Sequence, residues 1–186
     1  MNKVYKKHSN NFILYEIFML SWSAAVGRSK TYTDNINDAI KVEIKNEVKR
    51  ILYNMWDDYK IKVDEDSHIK NIEFISDKVS NKFHNYLVNR RFRIGSSQKV
   101  LNLFLKYLWC LDKIVEPPHC PIDSIILEKL NIEGRKKNLI KKKVFSVSWT
   151  KLDSIKDYLS IIKEAKKITG ISLSIWELKN FERHTK

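Results

Sequence analysis

The sequence predicts an all-α domain, and three observations carry that expectation. Apolar residues recur at three- and four-residue steps over most of the chain. Only four Gly and three Pro are present among 186 residues, whereas β-rich domains use turn residues often. Polar capping residues stand at the starts of the periodic segments. A chain of this length buries a core without disulfides, and we expect one helical domain over 1–186, with sub-lobes 1–90 and 91–186 as the natural subdivision.

The first helix runs from Asn10 and Asn11 through Phe12, Ile13, Tyr15, Ile17, Phe18, Leu20 and Trp22 to Gly27. The second carries Ile36, Ile40, Ile44, Val48, Ile51, Leu52 and Met55 on one face. Lys41, Glu43, Lys45, Glu47 and Lys49 fall on the other, the pattern of an amphipathic helix. Residues 57–68 are mixed and charged, which predicts a loop. A third helix follows on Ile72, Ile75, Val79, Phe83 and Leu87.

Ser96 or Ser97 is the expected cap of the next helix, which is apolar almost all round through Val100, Leu101, Leu103, Phe104, Leu105, Leu108 and Trp109. Such a helix belongs at the centre of a core. Pro117, Pro118 and Pro121 then hold the chain extended, and Asp123 caps a short helix from Ser124 to Leu130. Residues 144–149 alternate weakly, as a short strand or an extended packing segment would. Two last helices, Asp153 to Ile168 and Ser172 to Glu182, meet at Gly170.

The net charge is +13. Self-repulsion of that size is tolerated most readily when the partner is a polyanion, so nucleic acid is the expected partner, DNA before RNA. A solvation surface is the competing reading. The basic residues gather in two runs. One is Arg90, Arg91 and Arg93; the other is Arg135, Lys136, Lys137, Lys141, Lys142 and Lys143. No segment is long and apolar enough for a membrane helix, and with two cysteines and no zinc spacing the expectation is a cytoplasmic protein with no metal and no cofactor.

The informative stretch is residues 94–130. Gly95, Ser96 and Ser97 form a tight turn opening a helix, where free N–H groups and the helix dipole suit a phosphate. Lys99 follows in the first turns. Asp123 stands at the start of the next helix. A lysine and an aspartate near two helix starts have the makings of a nucleophile and its carboxylate. From the residues alone, a capping aspartate and a solvated lysine are the commoner reading, since capping aspartates are frequent.

The run Gly95-Ser96-Ser97-Gln98-Lys99-Val100-Leu101-Asn102 resembles the hairpin of the helix-hairpin-helix DNA glycosylases, the endonuclease III and 8-oxoguanine glycosylase group, which reads like Gly-Val-Gly-Arg-Lys-Thr-Ala-Asn. The run Pro118-His119-Cys120-Pro121-Ile122-Asp123-Ser124-Ile125 is similar to the group's Pro-x-x-Val-Asp-Thr-His-Ile. The resemblance implies Lys99 as a Schiff-base nucleophile and Asp123 as its supporting carboxylate, acting on a flipped-out base. Ser97 stands where the group has its second glycine, Arg93-Ile94 where it has Leu-Pro, and iron–sulfur cysteines are lacking. A non-catalytic nucleic-acid-binding module and a protein-interaction domain are the alternatives.

Overall fold

A computed structural model describes residues 3–181. The chain is all-α. Seven helices follow one another: α1 (Lys3–Val26), α2 (Asp38–Met55), α3 (Glu65–Phe83), α4 (Ile94–Cys110), α5 (Ser124–Lys136), α6 (Ile155–Thr169) and α7 (Leu173–Lys179). Among the described residues there is no strand, only an isolated antiparallel bridge between Tyr32 and Leu87. No described helix is long and apolar enough to cross a membrane.

α4 is the axis of the fold. Val100, Leu101, Phe104, Leu105 and Leu108 are fully buried, each contributing about 1.5–3 kcal/mol by leaving water. α4 packs on α1 and α3 from the first half of the chain and on α6 from the second. One apolar cluster thereby runs from Ile17 to Trp176. Within it Trp22 stacks on Phe92 at 6.2 Å with ring planes 8° apart, and Trp176 is buried as a core anchor.

Several boundaries differ from the sequence expectation, each for a local or tertiary reason. α1 begins well before Asn10, whose side chain accepts from Lys113 Nζ at 3.3 Å instead of capping a helix. α3 begins at Glu65, inside the expected loop, because Asp64 caps it by accepting from Ser67 N at 2.8 Å. Glu47, expected on the solvent face of α2, is buried and ion-paired with Arg50 and, at 2.8 Å, with Lys82 of α3. α5 continues past Leu130 to Lys136.

The segment 144–149 is extended but pairs with no strand. The buried side chain of Asn131 takes its place as partner. Its Oδ1 accepts from Val144 N (3.0 Å) and Phe145 N (3.1 Å), and its Nδ2 donates to Phe145 O (3.0 Å). A 3-10 turn, Trp149–Lys151, follows. α6 closes on Gly170 in the left-handed region at φ +67°, a conformation that favours glycine. α7 ends at Lys179, and the expected end at Glu182 lies outside the described residues.

Candidate active site

α4 begins at Ile94, with Arg93 as its N-cap and no side-chain cap bond, so neither Ser96 nor Ser97 plays the expected capping part. The helix start is sealed instead by Leu152, 57 residues on. Gly95 N donates to Leu152 O at 2.8 Å, while Ser96 N and Ser97 N donate to Arg93 O at 3.1 and 3.0 Å. Gly95 is required at this contact, since a Cβ there would lie 1.9 Å from Trp149 O. Gly95, Ser96 and Ser97 are all buried. The free N–H groups expected of a phosphate site are therefore absent from this turn.

Asp123 does cap α5, its Oδ1 accepting from Ile126 N at 3.0 Å. Its other oxygen, Oδ2, is ion-paired with Lys99 Nζ. The lysine side chain is only 8% exposed and the aspartate 20%, so the pair sits at the boundary between core and solvent. Trp149 lies against it, its ring centroid 5.8 Å from Lys99 Nζ. That contact places an aromatic face on the ammonium.

The two residues meet because Gln98 holds their backbones in register. Its Nε2 donates to Ile122 O (2.7 Å) and to Gly95 O (3.0 Å), and its Oε1 accepts from Ile122 N (3.0 Å). Gln98 precedes Lys99 and Ile122 precedes Asp123, so this amide clamp fixes the lysine opposite the carboxylate. One turn on, Asn102 Nδ2 donates to Cys120 O at 3.0 Å. The polar residues of an otherwise apolar helix thus bind the proline-rich loop to it, as buried polar groups must be bound.

Behind the clamp a buried polar network reaches the surface. His119 Nδ1 lies 2.9 Å from Tyr158 Oη and its Nε2 lies 3.1 Å from Glu65 Oε1. Burial pushes His119 down to about 4 despite Glu65, and pushes His68, 4.8 Å away, down to about 3 with His119 adding to the effect. Both imidazoles are neutral at pH 7. A neutral His119 facing a carboxylate carries its proton on Nε2 and accepts from Tyr158 at Nδ1. His119 therefore braces the loop from the core side and does not line the cleft described next.

The Lys99–Asp123 pair opens onto a cleft of about 330 Å³, at the lower end of the range of small-ligand sites. Arg28, Tyr107, Trp149, Glu177 and Phe181 contribute to its walls. Glu177 is itself buried and ion-paired with Lys106 at 2.7 Å, and Phe181 covers that ammonium at 4.0 Å. Sequence reasoning missed Arg28, Tyr107, Glu177 and Phe181, because nothing local marks which residues of distant segments, or of the far end of α4, will meet around one cleft. Gln98 did carry a signal, as a polar residue beside Lys99 in the most apolar helix.

The basic runs divide sharply. Arg91 binds Asp77 (2.8 Å), Asp153 (3.5 Å) and Ser76 Oγ (3.1 Å), and Arg93 donates to Thr150 O at 3.0 Å. Both guanidiniums are committed to their own chain and do not form the open phosphate-binding run expected. Arg90 is exposed, on a backbone at φ +59°, with no ion pair among the described residues. In the second run Arg135 and Lys143 pair with Glu128 at 3.9 and 2.8 Å, and Lys137 with Glu133 at 3.0 Å. Lys136, Lys141 and Lys142 are exposed and have no ion pair among the described residues.

Among the described residues no three His, Cys, Asp or Glu side chains gather as a metal would need. Compared with known proteins, the chain matches no family model, no curated protein and no solved structure.

Proposed function

We propose that the protein acts on nucleic acid, and that Lys99 and Asp123 carry base release or abasic-site cleavage through a covalent imine. The observation that supports this reading most is the meeting of Lys99 and Asp123, 24 residues apart, at the inner edge of an open cleft. A lysine that served only solubility would extend into water. This one is desolvated, held by one carboxylate and one aromatic face, in the arrangement a nucleophile and its proton acceptor require.

In the proposed reaction the target nucleotide leaves the base stack and its sugar enters the cleft. Lys99 gives up a proton to Asp123, and its amine lone pair forms a bond to C1′. The glycosidic bond breaks, the bonding electrons leave with the base, and Asp123 passes its proton to the departing base. Ring opening then yields an imine between Nζ and C1′. Loss of a C2′ proton expels the 3′ phosphate by β-elimination, and water releases Lys99. Asp123, a carboxylate again once its proton has gone to the departing base, then supports the cationic imine through its charge. At an abasic site the same sequence starts from the free aldehyde, with water as the leaving group.

The test is borohydride trapping on duplex oligonucleotides bearing an abasic site or a damaged base. Reduction of the imine leaves a stable protein–DNA adduct with wild type and none with Lys99→Gln. Absence of an adduct with wild type, together with absence of base release, overturns the catalytic reading. The exposed cations Lys136, Lys141 and Lys142 favour a second reading, a module that binds nucleic acid without chemistry. Steeply salt-dependent binding without product would support it.

A further inference from the structure

The cleft does not end at the Lys99–Asp123 pair. A second hollow of about 450 Å³ lies along the C-terminal half of α1 and shares Ala24, Arg28, Leu103 and Tyr107 with the first. The two make one groove, leading from the ion pair past Tyr107 and Arg28 to Ser23 and Leu20. Its floor is the junction of α1 with α4, the helix that carries Lys99.

The electrostatics of this groove are simple. Lys99 is neutralised by Asp123 and Glu177 by Lys106. Arg28 is exposed and has no ion pair or hydrogen bond among the described residues. It stands just beyond the last residue of α1, Val26, where the negative end of the helix dipole favours a cation. Tyr107 is half-buried and belongs to both hollows. The groove therefore offers a polyanion one uncompensated guanidinium and, shared by both hollows, the aromatic side chain of Tyr107, next to a desolvated amine that Trp149 covers.

That combination is the one by which proteins hold an unpaired strand, with phosphates on cations and bases on aromatic faces. We infer that the groove is the track of an unpaired polynucleotide strand, with Arg28 on the phosphate flanking the nucleotide at Lys99 and Tyr107 under a neighbouring base. The assignment rests on the proposed nucleic-acid reading and adds to it a site and a direction. It also explains why the basic residues closest to Lys99 in sequence need not be its phosphate contacts, since Arg91 and Arg93 are bound internally.

The test uses the full chain and a tetrahydrofuran abasic analogue, which cannot form an imine, in single-stranded and duplex oligonucleotides. Binding is followed by anisotropy from about 50 to about 200 mM salt. Arg28→Gln should weaken single-strand binding about fivefold to tenfold at low salt and lower the log–log salt slope by about 0.7, one phosphate contact. Tyr107→Ala should weaken single-strand binding more than duplex binding. Lys78→Gln, which removes an exposed charge outside the groove, should change affinity less than about twofold, a purely long-range effect.

If Arg28→Gln behaves like Lys78→Gln while wild type binds, the groove assignment fails and the nucleic-acid reading stands. Equal competition by polyglutamate overturns the assignment as well. If wild type binds no oligonucleotide, both fall. If borohydride trapping fails while the Arg28 effect appears, the groove stands without the chemistry.

Discussion

Asp123→Asn separates the two things that Asp123 does. Asparagine caps a helix as well as aspartate, so the bond from Ile126 N is kept while the charge facing Lys99 is lost. The ammonium is then left 8% exposed with no counter-charge. Removing one partner of a fully buried pair costs about 3–5 kcal/mol, and the 20% exposure of Asp123 places this case lower, at about 2–3 kcal/mol. Lys99→Met removes the other charge, keeps most of the stem volume and leaves Asp123 both capping and in contact with water. Its cost should be about 1 kcal/mol or less. The double variant should then resemble Lys99→Met, with a coupling energy of about 2 kcal/mol. For a chain of this size each kcal/mol moves Tm by about 2–4 °C, so Asp123→Asn should melt well below Lys99→Met. Urea unfolding at pH 7 gives the free energies directly. Equal costs for the two single variants, or additivity in the double, would show that the pair is solvated and that no preorganised site exists.

Two further perturbations test the surroundings of the pair. Gly95→Ala must push the chain at Trp149 away by about 1.5 Å, from a 1.9 Å contact to the 3.4 Å of ordinary packing. That movement breaks the Gly95–Leu152 bond and draws Trp149 off Lys99, for about 3 kcal/mol or more, read as a drop of about 6–12 °C in Tm; a change within about 1 °C refutes the close approach. The neutral, buried His68 and His119 predict acid sensitivity. Their folded values, about 3 and about 4, lie below the ordinary imidazole value of 6.5, so the unfolded chain binds more protons below that value. Their contribution to stability is complete above pH about 6.5 and is lost as pH falls toward 4 and 3. Urea midpoints should fall over that window, and His119→Gln should flatten the decline even if it lowers stability at pH 7. An unchanged slope in that variant would mean that His119 titrates alike in the folded and unfolded chain and is not held neutral by burial.

What the sequence determined by itself is the part governed by contacts a few residues apart. Helical periodicity placed α2, α4 and α6, because side chains three and four apart share one face. Asp123 announced itself as a cap and Gly170 as a helix end, since both roles are settled by bonds within one turn. The same local reasoning missed Asp64, whose cap lies in a charged stretch with no apolar rhythm beside it.

What only the tertiary structure decided is how charge and polarity are spent across long separations. Gly95 looked like the opening of a phosphate turn, yet its N–H belongs to Leu152. Arg91 and Arg93 looked like free cations, yet Asp77, Asp153 and Thr150 claim them. Sequence could name Lys99 and Asp123 but not bring them together. That depends on the side chain of Gln98 matching the backbone of Ile122, while the turn after α1 places Arg28 at the same cleft. A residue type states which bonds it can make; only the packed chain determines which partner is near enough, and dry enough, to make them.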